Sequence, residues 1–246
     1  MSILDLYSPD QYFLPIKTGE WAPGQFCWII VPNIEEIPKI LDVERSRPEE
    51  HAEANFKIRQ AKAANDFKKP DRILPLLYLD LRTSEELLVQ RAKKRPGVIL
   101  NFPLERDPKL IAVLSPGQRH QHDRSLFVVP CYGTDNEERR GGFIPEICHR
   151  AQYFIHRRYF YIPDYPKLKI KEGVLRFDRI QTVTGRHPAA IVPMDYAFSK
   201  EIFAIFRAMF FYCVTGEQDP DFLAIRDLLV EHYQKHVSPP SPITKS

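Results

Sequence analysis

The amino-acid sequence predicts an α+β protein with a mainly β core, in which a small barrel of mainly antiparallel strands is followed by C-terminal helices. Short apolar runs rich in β-branched and aromatic residues, such as residues 25–31, 97–100 and 125–129, are bounded by turn-forming or polar residues. This pattern is typical of strands. Later in the chain, residues 199–214 and 221–236 have the apolar spacing of amphipathic helices.

The first strand is predicted to follow an irregular, proline-punctuated lead of residues 1–22. Pro23 and Gly24 precede residues 25–31, and Pro32 ends the apolar run. Proline ends it because proline has no N–H to donate to a strand ladder.

Residues 33–92 differ in character from the strands around them. We expect a helical insertion here, either a subdomain or a flap over the barrel. Residues 49–66 are polar and alanine-rich, which indicates an exposed helix. A strand is predicted over residues 73–81, and a short capped helix with an acidic first turn over residues 83–91.

The second half of the chain is predicted to contain a strand over residues 173–183 and two terminal helices. Ser199 is expected to cap the first helix, and Gly216 follows its end. Residues 237–246 are expected to be a disordered tail. Apart from the insertion, residues 1–246 are predicted to form a single domain.

Composition limits the classes of function. The 246 residues are 43% hydrophobic and 27% charged, which is typical of a soluble globular protein. The formal net charge is only +3, so any case for a nucleic-acid partner has to come from local patterning.

The four cysteines have no zinc-ligand spacing and indicate reduced thiols in a cytoplasmic protein. The N-terminus lacks the pattern of a signal peptide, and no apolar run approaches the about 18 residues of a membrane span, so no membrane association is expected. His120 and His122 lack a third ligand, and we expect neither a metal nor a cofactor.

A cation and a carboxylate lie close together on the predicted strand of residues 173–183. Arg176 and Asp178 are two residues apart, which places both on one face of a regular strand. An arginine can hold a phosphoryl oxygen and a carboxylate can accept a proton, so the pair suits phosphate chemistry. The alternative is a salt bridge on the strand surface.

Residues 148–171 interleave basic and aromatic side chains. This mixture binds single-stranded RNA in many proteins, because aromatic rings stack on bases while cations track phosphates. His149 and His156 could transfer protons near neutral pH. The alternative is a strand with aromatic residues in the core and cations in solvent. The predicted RNA-binding residues of this segment are Arg150, Tyr153, His156, Arg157 and Arg158.

Five blocks of the sequence, in order, resemble the MazF/PemK (Kid) family of toxin endoribonucleases. Two of them carry the residues that matter most: Lys94-Arg95-Pro96-Gly-Val-Ile-Leu100 resembles the family's Arg-Pro-Ala-Val-Val-Leu strand, and the block around Arg176 and Asp178 resembles its Asp-Gln-Ile-Arg-Thr-Val strand. The other blocks are Pro23-Gly24-Gln25-Phe-Cys-Trp28-Ile29, Phe127-Val-Val-Pro130-Cys-Tyr-Gly-Thr134 and the helix that ends at Gly216.

The resemblance implies an SH3-like small β-barrel that forms a homodimer and is neutralised by an antitoxin protein, as the toxin of a type II toxin–antitoxin system. It implies metal-independent cleavage of single-stranded RNA, in which the 2′-OH attacks the adjacent phosphate. Arg95 takes the place of the family's phosphate-facing arginine. Arg176 and Asp178 match the family's acid and base pair.

The chain departs from the family where a catalytic hydroxyl is expected. Tyr132 stands directly after Pro130-Cys131, and Thr134, two residues on, is the nearest substitute. Tyr132 and Arg179 are then expected to contact RNA. This departure and the long insertion keep an alternative open: a non-catalytic SH3-like module that binds nucleic acid or a protein.

The residues also suggest how the chemistry would be divided. Asp178 is expected to act as the base, most effectively with a pKa that burial raises, although neighbouring arginines oppose that rise. Arg95 and Arg176 are expected to stabilise the phosphorane electrostatically, because an arginine pKa above about 12 makes a poor proton donor.

Overall fold

The computed structural model describes residues 1–17, 21–44, 55–62, 66–67, 85–102, 107–115, 118, 122, 125–135, 141–184 and 191–236. The chain divides into two compact units. The first comprises Met1–Ile30 and Lys94–Ser246, and the second Val31–Lys93.

The elements in chain order are α1 (Ile3–Leu6), α2 (Pro9–Tyr12), β1 (Phe13–Pro15), β2 (Gln25–Pro32), β3 (Lys39–Glu44), β4 (Asn55–Gln60), β5 (Leu88–Val89), β6 (Ala92–Ile99), α3 (Pro108–Val113), β7 (Ser125–Gly133), α4 (Pro145–Ala151), β8 (Tyr159–Ile162), β9 (Gly173–Arg176), β10 (Gln181–Thr184), β11 (Ile191–Phe198), α5 (Lys200–Thr215) and α6 (Pro220–His236), with 3₁₀ turns at Pro166–Leu168 and Phe177–Arg179.

Within the described residues, eight strands of the first unit form one sheet in the order β1-β11-β2-β6-β7-β9-β8, and β10 also pairs with β7. The registered pairs are antiparallel, and six α-helices accompany the sheet in the described part of the chain. The predicted α+β class with a mainly antiparallel sheet is therefore confirmed. The described strands form no closed barrel, so the SH3-like barrel remains a prediction.

The predicted continuous strand over residues 173–183 is wrong. β7 pairs with β9 at Cys131↔Leu175 and with β10 at Val128↔Gln181. The two pairs are three residues apart in β7 but six residues apart in the segment that contains β9 and β10. That segment therefore has three extra residues between its two strands. The 3₁₀ turn Phe177–Arg179 takes them up.

Phe177 explains why the chain turns inward at this point. Its side chain is buried, and its ring packs against Phe206 and Phe210 of α5 at centroid distances of 5.2 and 5.7 Å. Its N–H donates to the carbonyl of Arg158 at 3.1 Å. Burial of a large aromatic side chain therefore replaces regular strand pairing here.

The two C-terminal helices are confirmed. Ser199 caps α5, because its hydroxyl accepts from the N–H of Ile202, and α5 ends at Gly216 with a φ of 77°. α6 covers the predicted second helix. The predicted tail, residues 237–246, lies outside the described residues.

The expected irregular lead is wrong in part. The structure has two one-turn helices there, and β1 pairs with β11 at Phe13↔Phe198. Both rings lie in an aromatic core with Phe26, Phe160 and Phe206. Phe13 is thus a core residue that fixes the start of the chain to the sheet.

The second unit contains a three-stranded sheet in the order β4-β3-β5. The predicted helix over residues 49–66 is wrong where the structure describes it, since Asn55–Gln60 is β4, paired with β3 at Leu41↔Ile58. The predicted helix over residues 83–91 instead contains β5. Strand pairing overrides the local helix preference in both cases. The predicted strand over residues 73–81 lies outside the described residues.

No helix in the described ranges is both long enough and apolar enough to cross a membrane.

Candidate nucleic-acid interface

Arg176 and Asp178 form a two-pronged ion pair. Arg176 Nε donates to Asp178 Oδ1 at 3.0 Å, and Nη2 donates to Oδ2 at 2.6 Å. The Arg176 side chain is 11% exposed and that of Asp178 33%. Arg176 ends β9, whereas Asp178 lies in the following 3₁₀ turn. The prediction that both side chains lie on one face of a regular strand is therefore wrong. The turn is what brings the two side chains together.

Three aromatic rings surround the Arg176 guanidinium. Its central carbon lies 5.2 Å from the ring centre of Tyr132, 5.5 Å from that of Phe143 and 6.0 Å from that of Tyr159. Tyr159 is the β8 residue directly opposite Arg176. Cation–π contacts of this kind hold a guanidinium in one orientation, so Arg176 is a fixed cation.

Arg95 joins the same cluster from β6. Its guanidinium carbon lies 4.2 Å from the ring centre of Tyr132. β6 pairs with β7 at Gly97↔Pro130, and the same register two residues further places Arg95 beside Tyr132. Residues 81 positions apart in sequence, Arg95 and Arg176, therefore share one tyrosine ring.

Two further arginines border the pair. Arg179 Nε lies 3.9 Å from Asp178 Oδ2. The guanidinium carbon of Arg158 lies 4.8 Å from the ring centre of Tyr159. We call the cluster of Arg95, Tyr132, Arg158, Tyr159, Arg176, Asp178 and Arg179 the Arg176 site. Among the described residues it brings together four arginines and one carboxylate, a composition that favours an anionic ligand.

The electrostatics of the site keep Asp178 ionised. Burial acts to raise the pKa of Asp178, but the hydrogen bond from Arg176 and the charges of Arg176 and Arg179 outweigh it, so the pKa lies below its ordinary value of 3.8. The hydrogen bond to Asp178 raises the pKa of Arg176. The geometry therefore does not give Asp178 the raised pKa that would make it a more effective base.

Tyr132 remains a protonated phenol at neutral pH. Burial raises its pKa from 10.0, and this outweighs the opposing charges of Arg95, Arg176 and Arg179. The half-buried ring can therefore stack, and its hydroxyl can donate to an anion.

The structure places Thr134 away from this site. Its hydroxyl lies 3.0 Å from Cys148 Sγ and 3.2 Å from Glu172 Oε2, and its N–H donates to the Glu172 carbonyl at 3.1 Å. Glu172 precedes β9, whereas Arg176 ends it. At about 3.3 Å per residue the two are about 13 Å apart along the strand. Thr134 is a buried network residue here, and the geometry does not support the expected substitution for the missing hydroxyl.

Arg150 and Tyr153 also lie elsewhere. Arg150 Nε donates to Glu146 Oε1 on α4 at 2.6 Å. Tyr153 is 9% exposed, and its ring packs at 5.1 Å from that of Tyr233 on α6. The expected base-stacking role of Tyr153 is therefore wrong for this structure, because the ring lies in the core.

The same correction applies to the other aromatic residues of residues 148–171. All of them belong to the buried hydrophobic core: Phe154, Tyr159, Phe160, Tyr161 and Tyr165. The alternative interpretation, with rings inside and cations outside, describes this segment better, since Arg157 and Arg158 are exposed.

His156 lies next to the site through Tyr159, with ring centres 5.9 Å apart. Burial, together with the charges of Arg150 and Arg158, lowers the pKa of His156 below 6.5. The imidazole is therefore neutral at pH 7. Arg157 faces the other way, with its guanidinium carbon 6.0 Å from the ring centre of Tyr212 on α5.

Phe143 packs against the Arg176 site, and sequence reasoning missed it. It stacks edge-on against both Tyr132 and Tyr159, at 6.0 and 5.3 Å. It belongs to no helix or strand, and no periodic pattern around it indicates a contact with β7 or β8. Its N–H donates to the carbonyl of Gly133 at 3.0 Å, which fixes it over the site.

Comparison of the chain with protein-family models, with curated proteins and with solved structures finds no match. In the described ranges, no group of three or more His, Cys, Asp or Glu side chains is placed to hold a metal ion.

Proposed function

We propose that this protein is an endoribonuclease that cleaves single-stranded RNA without a metal, and that the Arg176 site holds the scissile phosphate. The observation that carries the proposal is the convergence of Arg95, Tyr132, Arg176 and Asp178 on one place from three strands and a turn. The family resemblance identifies Arg95, Arg176 and Asp178 by sequence motif alone. Their proximity in the structure is therefore an independent observation.

The division of labour follows from the contacts. Arg95 contacts Tyr132 and Arg158 contacts Tyr159, and both arginines neutralise the phosphate oxygens. Arg176, held by Asp178 and three rings, keeps a positive charge in place as the phosphorane forms. A fixed charge stabilises the transition state without reorganising, which is often the largest contribution of an active site.

The reaction needs two proton transfers, one from the attacking 2′-oxygen and one to the leaving 5′-oxygen. The 2′-oxygen bonds to phosphorus while its proton passes to a base, the bond to the 5′-oxygen breaks, and that oxygen takes up a proton from water. Asp178, the carboxylate of the Arg176 site, accepts the first proton in this proposal. Its lowered pKa makes it a weak base, so electrostatic stabilisation by the arginines supplies most of the rate.

The test is the chemistry of the substrate. In excess EDTA, a single-stranded RNA should be cut to fragments ending in a 2′,3′-cyclic phosphate, and the same sequence as 2′-O-methyl RNA should remain intact because it has no attacking hydroxyl. Cleavage of the 2′-O-methyl strand, or cleavage of RNA only when a metal is added, would contradict the proposal.

A second function, RNA binding without cleavage, is favoured by the position of Thr134. The hydroxyl expected beside the phosphate is bound to Cys148 and Glu172 instead. Binding of both RNA and 2′-O-methyl RNA, with neither degraded, would select this function. The antitoxin protein and the homodimer implied by the resemblance belong to the first proposal.

A further inference from the structure

A second cluster of arginines around a tyrosine lies on the C-terminal helices. The half-buried ring of Tyr212 on α5 has the guanidinium carbon of Arg157 at 6.0 Å and that of Arg226 on α6 at 5.7 Å from its centre. We call these three residues the Tyr212 clamp. It repeats the arrangement of Arg95 and Arg176 about Tyr132.

The clamp adjoins the Arg176 site. The carbonyl of Arg158, the neighbour of Arg157, accepts the N–H of Phe177 in the 3₁₀ turn that carries Asp178. The Phe177 ring packs on Phe210, which lies less than two turns before the end of α5. The loop that carries Arg157 is therefore fixed between the turn of the first site and the helix of the clamp.

The environment of Cys213, next to Tyr212, supports the same continuity. Burial raises the pKa of its thiol, the charges of Arg157 and Arg158 lower it, and the charge of Asp178 raises it. Charges from the Tyr212 clamp and from the Arg176 site therefore both act on the Cys213 thiol, so both clusters lie near it.

The clamp carries positive charge that its own contacts do not cancel. Arg157 is exposed, and its partner in the clamp is an uncharged ring. Arg226 Nη1 lies 3.1 Å from Asp227 Oδ1, but the Asp227 side chain is 69% exposed, so solvent weakens that ion pair. Two arginines held at a ring suit a nucleotide, since they present charge to its phosphate and a guanidinium plane can stack on its base.

We propose that the Tyr212 clamp is a second binding site for single-stranded RNA, which holds nucleotides flanking the phosphate at the Arg176 site. This inference rests on the proposed function, because it requires an RNA strand at the first site. The two sites would bind one strand in series, so the clamp acts only on RNA long enough to reach it.

The test compares two lengths of uncleavable RNA. The affinity of the full chain for a 2′-O-methyl trinucleotide and a dodecanucleotide is measured by fluorescence anisotropy over a range of salt concentrations. The double variant Arg157→Gln/Arg226→Gln should bind the dodecanucleotide about tenfold more weakly and the trinucleotide equally well. Its salt slope on the dodecanucleotide should fall by about 1.4, which is about 0.7 for each phosphate that an arginine no longer neutralises.

Two matched variants exclude simpler explanations. Arg207→Gln removes an exposed arginine that stacks on Phe203 of the same helix at 6.0 Å, about 140° around the helix axis from Tyr212. It should leave both affinities unchanged. Arg157→Lys/Arg226→Lys retains the charge and should retain most of the salt slope, which a purely structural role would not predict.

Several outcomes would overturn the inference. They are an unchanged dodecanucleotide affinity in the double glutamine variant, an equal loss of affinity for both lengths, or the same loss in Arg207→Gln. The uncleavable probe measures binding separately from cleavage. If binding follows the expected pattern but unmodified RNA is not cleaved, the endoribonuclease proposal is rejected and the Tyr212 clamp is retained. Absence of all RNA binding by the unsubstituted protein would reject both.

Discussion

Arg176 donates two hydrogen bonds to Asp178, at 3.0 and 2.6 Å. The two residues are joined by the start of a 3₁₀ turn and do not lie on one continuous strand. The turn arises because Phe177, between them, is buried against α5. Packing of one aromatic residue thereby creates an oriented ion pair beside Tyr132. The pair fixes a cation and a carboxylate beside the tyrosine ring that Arg95 also contacts.

Tyr132 should contribute through its ring more than through its hydroxyl. Tyr132→Phe keeps the ring that Arg95 and Arg176 contact, whereas Tyr132→Leu removes it. We expect the leucine variant to bind single-stranded RNA about fivefold to thirtyfold more weakly, as the loss of about 1–2 kcal/mol of cation–π and stacking energy implies. The phenylalanine variant should bind within about twofold of the unsubstituted protein. Equal losses in both variants, measured by anisotropy, would assign the effect to the hydroxyl.

Thr134 should matter for stability and not for cleavage. Its hydroxyl is a hydrogen-bond partner of Cys148 and Glu172 in a buried network. We expect Thr134→Val to lower the free energy of unfolding by about 1–3 kcal/mol, because Glu172 loses a donor. The cleavage rate per folded molecule should not change. A large fall in that rate at unchanged stability would restore Thr134 as a catalytic residue.

His156 should make the protein sensitive to mild acid. Burial and the charges of Arg150 and Arg158 hold its pKa below 6.5 in the folded state, so the unfolded chain takes up the proton first. The native state is therefore unaffected above pH 6.5 and loses stability as pH falls from 6.5 through the folded-state pKa. His156→Gln should remove this part of the pH dependence in urea unfolding at about pH 7.5 and about pH 5. Parallel pH profiles for the two proteins would show that His156 is not the group responsible.

Gly173 should tolerate no side chain. A Cβ there would lie 2.4 Å from the carbonyl oxygen of Tyr132, a backbone atom that cannot move aside without disturbing the β7–β9 ladder. We expect Gly173→Ala to cost about 2 kcal/mol of unfolding free energy and to weaken RNA binding, since β9 positions Arg176. Wild-type stability and wild-type RNA affinity together would mean that the ladder shifts freely.

Some of this arrangement could be predicted from the sequence. Ser199 and Gly216 mark the limits of α5 because capping and left-handed ends depend on local chemistry. Gln25–Pro32 has the strand pattern that β2 adopts. The motifs around Arg95 and Arg176 single out both arginines, but they do not reveal the ring that joins them.

The rest depends on long-range packing that local patterns do not contain. Asn55–Gln60 looks helical by composition, yet pairing with β3 makes it a strand. The turn at Phe177 depends on a hydrophobic site on α5, about thirty residues later in the chain. Likewise, the burial of Tyr153 is set by Tyr233 on α6, and no local pattern distinguishes it from an exposed stacking residue.

The most direct measurement is the initial rate at which cyclic-phosphate product forms from single-stranded RNA in EDTA, compared between the unsubstituted protein and Asp178→Asn. Asp10→Asn is the matched control, because Asp10 also pairs with a cation, Lys167 at 3.2 Å, but on α2. We expect Asp178→Asn to reduce the rate at least about a hundredfold, because it removes both the base and the carboxylate that orients Arg176. Asp10→Asn should leave the rate unchanged. Equal rates for all three proteins, or no product from any of them, would contradict the claim that the Arg176 site cleaves RNA.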